Sequence, residues 1–234
     1  MRGRLTAVAL GAVLLVAGCG LEEEAEEAAP EETAGESAQP GPDDGAPGAG
    51  DTTLPGLPTA GEARDQLAGL TVAEPRPMTG YSRDRFPHWA TQEGCTVRQL
   101  VLRRDGEDVQ VDDDCQPTSG SWHSPYEDEV YTEPGDVDID HMVPLANAWR
   151  SGADTWTDEE RETFANDLDH PQLIAVGDTT NSEKGDQSPD QWLPPAEEFG
   201  CTYGLAWTSV KHTYELTVTE EERAELVALL DSCG

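Results

Sequence analysis

An α+β domain of about 175 residues, cross-linked by two disulfides, is what the sequence predicts for positions 59–234. Short β-prone runs alternate with helices that open on Thr-x-x-Glu signals, so neither an all-α nor an all-β pattern fits. Four cysteines, Cys95, Cys115, Cys201 and Cys233, follow an export-type N-terminus, a setting in which thiols oxidise. A stretch of this length is also enough to bury one hydrophobic core.

The chain opens MRGRLTAVALGAVLLVAGCG, with Arg2 and Arg4 ahead of an apolar run from Leu5 to Ala17. Those 13 residues fall short of the roughly 20 that a spanning helix needs, so positions 1–18 read as a secretion signal. The Val-Ala-Gly-Cys ending resembles a bacterial lipobox. That resemblance implies that Cys19 becomes a lipidated N-terminus held at the extracytoplasmic face of the cell membrane. Positions 19–58 are rich in Glu, Ala, Pro and Gly and poor in large apolar residues. Such a composition cannot offset chain entropy, and the stretch reads as a disordered acidic tether.

Beyond it the elements follow in order. Apolar periodicity begins at Ala63 to Leu70. Cys95 to Arg104 fits a short helix, and Val109 to Val111 and Ser119 to Tyr131 hold strand-like pieces around turns. Val137 to Ile139 reads as a strand running into His141, and Leu145 to Arg150 as a helix. Thr157 with Glu160 makes a capping box for a helix ending near Asn166. Leu173 to Val176 is a short apolar strand, Thr179 to Lys184 a helical turn, and Cys201 to Tyr214 a helix. Thr219 with Glu222 opens a last amphipathic helix whose Leu226, Leu229 and Leu230 face the core. Because loop closure favours neighbours, the expected bridges are Cys95–Cys115 and Cys201–Cys233. No C-x-x-C pair supports a zinc site.

Charge narrows the function. The chain carries 48 Asp+Glu against 14 Lys+Arg, and from position 63 onward 36 against 12 still leave −24. Broad electrostatic attraction to nucleic acid is therefore excluded, and any chemistry on phosphates must work from a local site. No apolar run beyond the N-terminus is long enough for a polytopic membrane protein. The only lysines are Lys184 and Lys211.

One stretch, DVDIDHMVPLANAW from Asp136 to Trp149, concentrates chemistry. Asp138 and Asp140 alternate along the expected strand and share a face, and His141 closes it where the turn at Pro144 begins. Forty residues on, Asn181 and Lys184 stand three apart, side by side on a helical turn. A carboxylate and an amide oxygen suit one divalent cation such as Mg²⁺. A histidine can take a proton from water, and a lysine or arginine can hold a phosphoryl oxygen. Together these groups describe metal-assisted phosphodiester hydrolysis.

Asp140-His141, the following Val-Pro-Leu and Ala-Trp, and Asn181-x-x-Lys184 resemble the HNH, or His-Me finger, nucleases. The body is similar to the bacterial HNH family that shares its domain with the C-terminal part of GmrSD-type restriction endonucleases. YSRDRFPHW, the Cys95-x-x-Arg98 segment, SGSWHSPY, DIDHMVPLANAWRSGADTW, RETFANDL, NSEKGDQSPDQWLPP, CTYGLAW and the final Leu-Leu-Asp-Ser-Cys carry the likeness in that order. The resemblance implies a ββα-metal core, at about 136–195, within an HNH nuclease domain at 59–234. It implies His141 as general base, Asp140 and Asn181 as ligands of one Mg²⁺ or Mn²⁺, and Asn166 as the residue that shapes the inter-strand loop and orients the histidine. Lys184 would approach a substrate phosphate.

Arg98 and Arg150 are open between phosphate contacts and pairing with the domain's many carboxylates, and Asp112 to Asp114 between a calcium turn and a solvated one. The leading expectation is an exported, membrane-tethered endonuclease acting on DNA or RNA. Its rival is a catalytically silent binding lipoprotein built on the same domain, which the acidity favours. A hydrolase of smaller phosphodiesters is the third reading. No H-E-x-x-H or serine elbow supports a protease.

Overall fold

In the computed structural model, which describes residues 54–234, helix α1 (Ala60–Gly69) opens on a capping box between Thr59 and Glu62 and buries Ala63 and Leu67. The expected signal peptide, Cys19 and positions 19–53 of the tether lie outside the described residues. Positions 54–58, read from composition as the end of the tether, belong to the packed body. Leu54 is 2% exposed within the main core. Gly56 takes φ +62 so close to the Asp169 carbonyl that a Cβ would lie 2.8 Å from its oxygen. Two leucines, Leu54 and Leu57, set among prolines and a glycine have no periodicity to announce them.

Strands β1 (Thr91–Gln92) and β2 (Cys95–Thr96) form a minimal antiparallel hairpin that feeds helix α2 (Val97–Asp105). The helix expected from Cys95 starts later because Thr96 is its cap: Thr96 N–H donates to Gln99 Oε1 at 2.7 Å, and Gln99 N–H returns to Thr96 Oγ1. Strands β3 (Gly106–Val111), β4 (Pro117–Ser124) and β5 (Glu129–Tyr131) then make an antiparallel meander. The Asp112 turn closes on its own backbone, Oδ1 accepting the N–H groups of Asp114 and Gln116 at 3.0 and 2.9 Å.

The central unit is a strand, a long crossover, a second strand and a helix. Strand β6 (Val137–His141) is followed by α3 (Leu145–Arg150) and α4 (Asp158–Ala165). Strand β7 (Leu173–Gly177) returns antiparallel to β6, with His141 opposite Leu173, and runs straight into α5 (Asp178–Lys184). Alternation divides this ribbon between two cores. Val137, Ile139, Leu173 and Ala175 pack with Val101 and Leu102 of α2 and Trp122 of β4. Ile174 and Val176 face the larger core, which also takes residues of α1, α3, α4, and of α6 (Gly200–Thr213) and α7 (Glu220–Asp231). Asp138 and Asp140 lie opposite Val176 and Ile174, so the acidic face of β6 is turned toward that larger core.

The expected helix starts at Thr157 and Thr219 are both capping boxes, and Leu226, Leu229 and Leu230 are buried. Both expected bridges are present: Cys95–Cys115 joins the β1–β2 hairpin to the β3–β4 loop, and Cys201–Cys233 pins the C-terminus to α6, with Cα separations of 5.6 and 5.1 Å.

Candidate active site

His141 ends β6 with only 4% of its surface exposed. Its Nε2 lies 3.0 Å from the carbonyl oxygen of Ala165, at the end of α4. A carbonyl only accepts, so Nε2 carries the proton and Nδ1 keeps the ring's lone pair. Burial pushes the ring's pKa down to about 3, and the positive charges of Arg83 and Lys184 add to the shift. The ring is therefore neutral at ordinary pH. Trp89 stands beside it, ring centroids 5.6 Å apart and planes 33° from parallel.

Asp140 is on the other face of the strand, and its carboxylate meets two groups. Tyr126 Oη donates to its Oδ2 at 2.6 Å, and Lys184 Nζ lies 2.7 Å from the same oxygen. Lys184 is fully buried, also donates to the His141 carbonyl at 3.0 Å, and sits over the Trp207 ring. Burial raises the Asp140 pKa and lowers that of Lys184, and each partner's charge opposes the other's shift. The placement corrects the reading of Lys184 as a phosphate contact. Asn181, one turn earlier on α5, does line the cleft, and its Nδ2 donates to Asp138 Oδ2 at 3.2 Å. The amide oxygen is thus the end of Asn181 left for another ligand. Asp138, noted in the sequence only as sharing a face with Asp140, is what orients it.

Asn166 makes no hydrogen bond to the histidine. Its Nδ2 donates to the carbonyls of Pro87 and Glu162, both at 2.7 Å, and its Oδ1 accepts from Ala90 N–H at 2.8 Å. Asn166 thereby brackets Trp89, whose φ is +62, a costly value for a bulky aromatic residue. The histidine is oriented by the neighbouring Ala165 carbonyl and by Trp89, so the effect of Asn166 on it is indirect.

The two arginines resolve toward structure. Arg98 donates to the Val137 carbonyl at 2.9 Å, at the far end of β6 from His141. Arg150 is held by Asp186, through the carboxylate and through the backbone carbonyl at 2.6 Å. Nothing in the sequence singles out Arg83. It lines, with Tyr81, Asp140, His141, Asn181 and Asp186, a cleft of about 190 Å³ at the end of β6. The segment YSRDRFPHW supplies Tyr81, Arg83, His88 and Trp89, so the stretch was visible as a motif while its individual roles were not.

Whether a divalent cation fits can be judged from the donors. Among the described residues no three His, Cys, Asp or Glu side chains cluster as a metal site. Asp140 and Asn181 bring one carboxylate and one amide oxygen to the same cleft. Two protein oxygens completed by water and substrate suit Mg²⁺, which seldom gives up its whole hydration shell. The donors fit, provided Asp140 can share its carboxylate between a cation and Lys184.

Two antiparallel strands leading into a helix, with a tautomer-fixed histidine at the end of the first strand and an aspartate and asparagine at its mouth, define a ββα, HNH-type domain. The chain belongs to the family described as GmrSD restriction endonucleases, C-terminal domain, whose profile matches residues 91–229. It is also 53% identical over 182 residues to a protein of Arthroderma benhamiae described as "Uncharacterized secreted protein", a match covering 77% of this chain and 89% of the relative. No solved structure matches.

Proposed function

We propose that the protein is an exported, metal-dependent endonuclease that hydrolyses phosphodiester bonds of DNA, and of RNA where the strand can enter the cleft. The observation that carries the reading is His141. Its Nε2–H is committed to the Ala165 carbonyl and its Nδ1 lone pair is unprotonated, in the same cleft as Asp140 and Asn181. Family membership and the relative described as secreted support a nuclease and its export. Membrane attachment through Cys19 is part of the proposal.

His141 Nδ1 would accept a proton from the water that attacks phosphorus, while the Ala165 carbonyl holds the opposite N–H and steadies the ring as it gains charge. The ring is a weak base because burial and neighbouring cations disfavour its charged form. An entering phosphate anion reverses part of that balance and raises its basicity as substrate binds. Asp140 and the Asn181 amide oxygen would hold one Mg²⁺ or Mn²⁺, which when bound supplies Lewis-acid stabilisation of charge on the phosphoryl and leaving oxygens.

The test is supercoiled plasmid with Mg²⁺ or Mn²⁺ across a salt series, with His141→Ala alongside. The reading expects metal-dependent nicking that His141→Ala abolishes while keeping its fold. One feature favours a second reading, a binding module without catalysis: Asp140 already shares a buried ion pair with Lys184. No nicking by folded protein under any metal or salt would support that alternative.

A further inference from the structure

We infer that Arg83, braced by His88, is the phosphate-binding edge of the cleft and receives a non-bridging oxygen pair of a nucleic-acid phosphodiester. The inference rests on the polynucleotide reading above and names the residue that would recognise the anion.

The three cations that the sequence offers for this purpose are all spent elsewhere. Lys184 is buried on Asp140, Arg150 is held by Asp186, and Arg98 is bonded to the Val137 carbonyl. Among the described residues that line the cleft, Arg83 is the one arginine or lysine. It is exposed, and among the described residues no carboxylate lies within 4.0 Å of it. Arg64, Arg98, Arg103 and Arg223 likewise have no carboxylate within 4.0 Å among the described residues, so it is the position of Arg83 in the cleft lining, not its lack of a partner, that singles it out.

The bracing is directional. His88 Nδ1 lies 2.9 Å from the Phe86 carbonyl, so Nδ1 carries the hydrogen and Nε2 accepts. Arg83 Nε donates to that Nε2 at 3.4 Å. The contact engages the inner nitrogen of the guanidinium and leaves the two terminal nitrogens as a fork, the geometry that matches two oxygens of one phosphate. Arg83 and His141 line the same cleft of about 190 Å³. An anion bound at Arg83 therefore lies within electrostatic reach of the proposed base. The segment is positioned from behind, since Asn166 holds Pro87 and Ala90, on either side of His88 and Trp89.

The test measures binding separately from cleavage. A short fluorescein-labelled duplex is titrated with the purified protein in EDTA, read by anisotropy, using the unsubstituted chain, Arg83→Ala, Arg83→Lys and Arg103→Ala. Arg103 is exposed on α2 and is absent from the cleft lining, so its loss removes the same net charge. Arg83→Ala is expected to weaken binding by about tenfold or more, Arg83→Lys to recover part of it, and Arg103→Ala to change it by less than about twofold. Equal weakening by Arg83→Ala and Arg103→Ala would reduce the effect to net charge and overturn the inference, as would no binding by the unsubstituted chain at any salt. Plasmid nicking separates the two readings. Selective loss of binding at Arg83 with no nicking by any form leaves the phosphate edge standing and removes the nuclease; nicking that Arg83→Ala leaves intact, with unchanged binding, does the reverse.

Discussion

Lys184 Nζ lies 2.7 Å from Asp140 Oδ2, and both side chains are withdrawn from solvent beneath the end of β6. The pair places a structural cation immediately behind the proposed base and explains why α5 docks where it does. Lys211, the other lysine of the chain, repeats the arrangement from α6, with Glu222 at 3.0 Å, and both lysines stand 5.8 Å from the centroid of the Trp207 ring.

Removing one partner of such a pair leaves an uncompensated buried charge. Lys184→Met should destabilise the fold by about 3–5 kcal/mol, read from the urea midpoint. Asp140→Asn added to it should recover part of the loss, because the two sites share one interaction. A lysine acting mainly on substrate would lower binding and leave the midpoint in place.

His141 makes stability depend on pH in a defined window. Above about pH 6.5 both folded and unfolded chains hold the ring neutral, and the residue contributes no slope. Between about 6.5 and 3 the unfolded chain takes up a proton that the folded one refuses, so stability falls as pH falls, by up to about 1.4 kcal/mol per unit. Below about 3 the dependence ends. Urea midpoints measured across that range should be flatter in His141→Asn than in the unsubstituted protein, whatever their absolute values.

Asn166→Ala removes three hydrogen bonds that hold the Pro87–Ala90 segment and the end of α4. A loss of about 1–3 kcal/mol is expected in thermal or urea unfolding. If Trp89 positions His141, nicking should fall through kcat with KM little changed, and that split is the readout a purely structural asparagine would not produce.

Each disulfide closes a short loop, with sequence separations of 20 and 32. Cys201→Ser with Cys233→Ser should cost about 3–4 kcal/mol of stability, compared by denaturation of oxidised samples.

Salt should act on this protein in the unusual direction. Proteins that bind nucleic acid through many cations lose affinity as salt rises. Here a strongly acidic body faces a polyanion and the proposed contact is local. Raising ionic strength from low to moderate should therefore raise duplex affinity and nicking, by screening repulsion over about 10 Å at 0.1 M. A monotonic fall from the lowest salt upward would contradict it.

Much of the fold could be read along the chain because its signals are local. The capping boxes at Thr157 and Thr219, the apolar run at Leu173 and the alternation at Asp138 and Asp140 each depend on residues a few positions apart. The bridges followed from loop length alone. Leu54 is not legible in the sequence because its partners come from distant segments, and the two-residue strand at Cys95 has too short a pattern to be told from the helix that follows it.

The site divides along the same line. His141, Asp140 and Asn181 were legible as a set, since a strand end and a helical turn present them by local geometry, and the cleft does bring the three together. The fate of the cations was not. Lysine and arginine reach far enough to be captured by whatever lies within their long side chains' radius. That depends on Tyr126, Trp207, Asp186 and the Val137 carbonyl, contributed from elsewhere in the chain. By itself the sequence therefore determined the elements, the bridges and the chemical types gathered at the end of β6. Only the tertiary structure decided which charges are neutralised inside and which one, Arg83, faces the cleft, because burial and pairing are properties of the assembled packing and not of any local pattern.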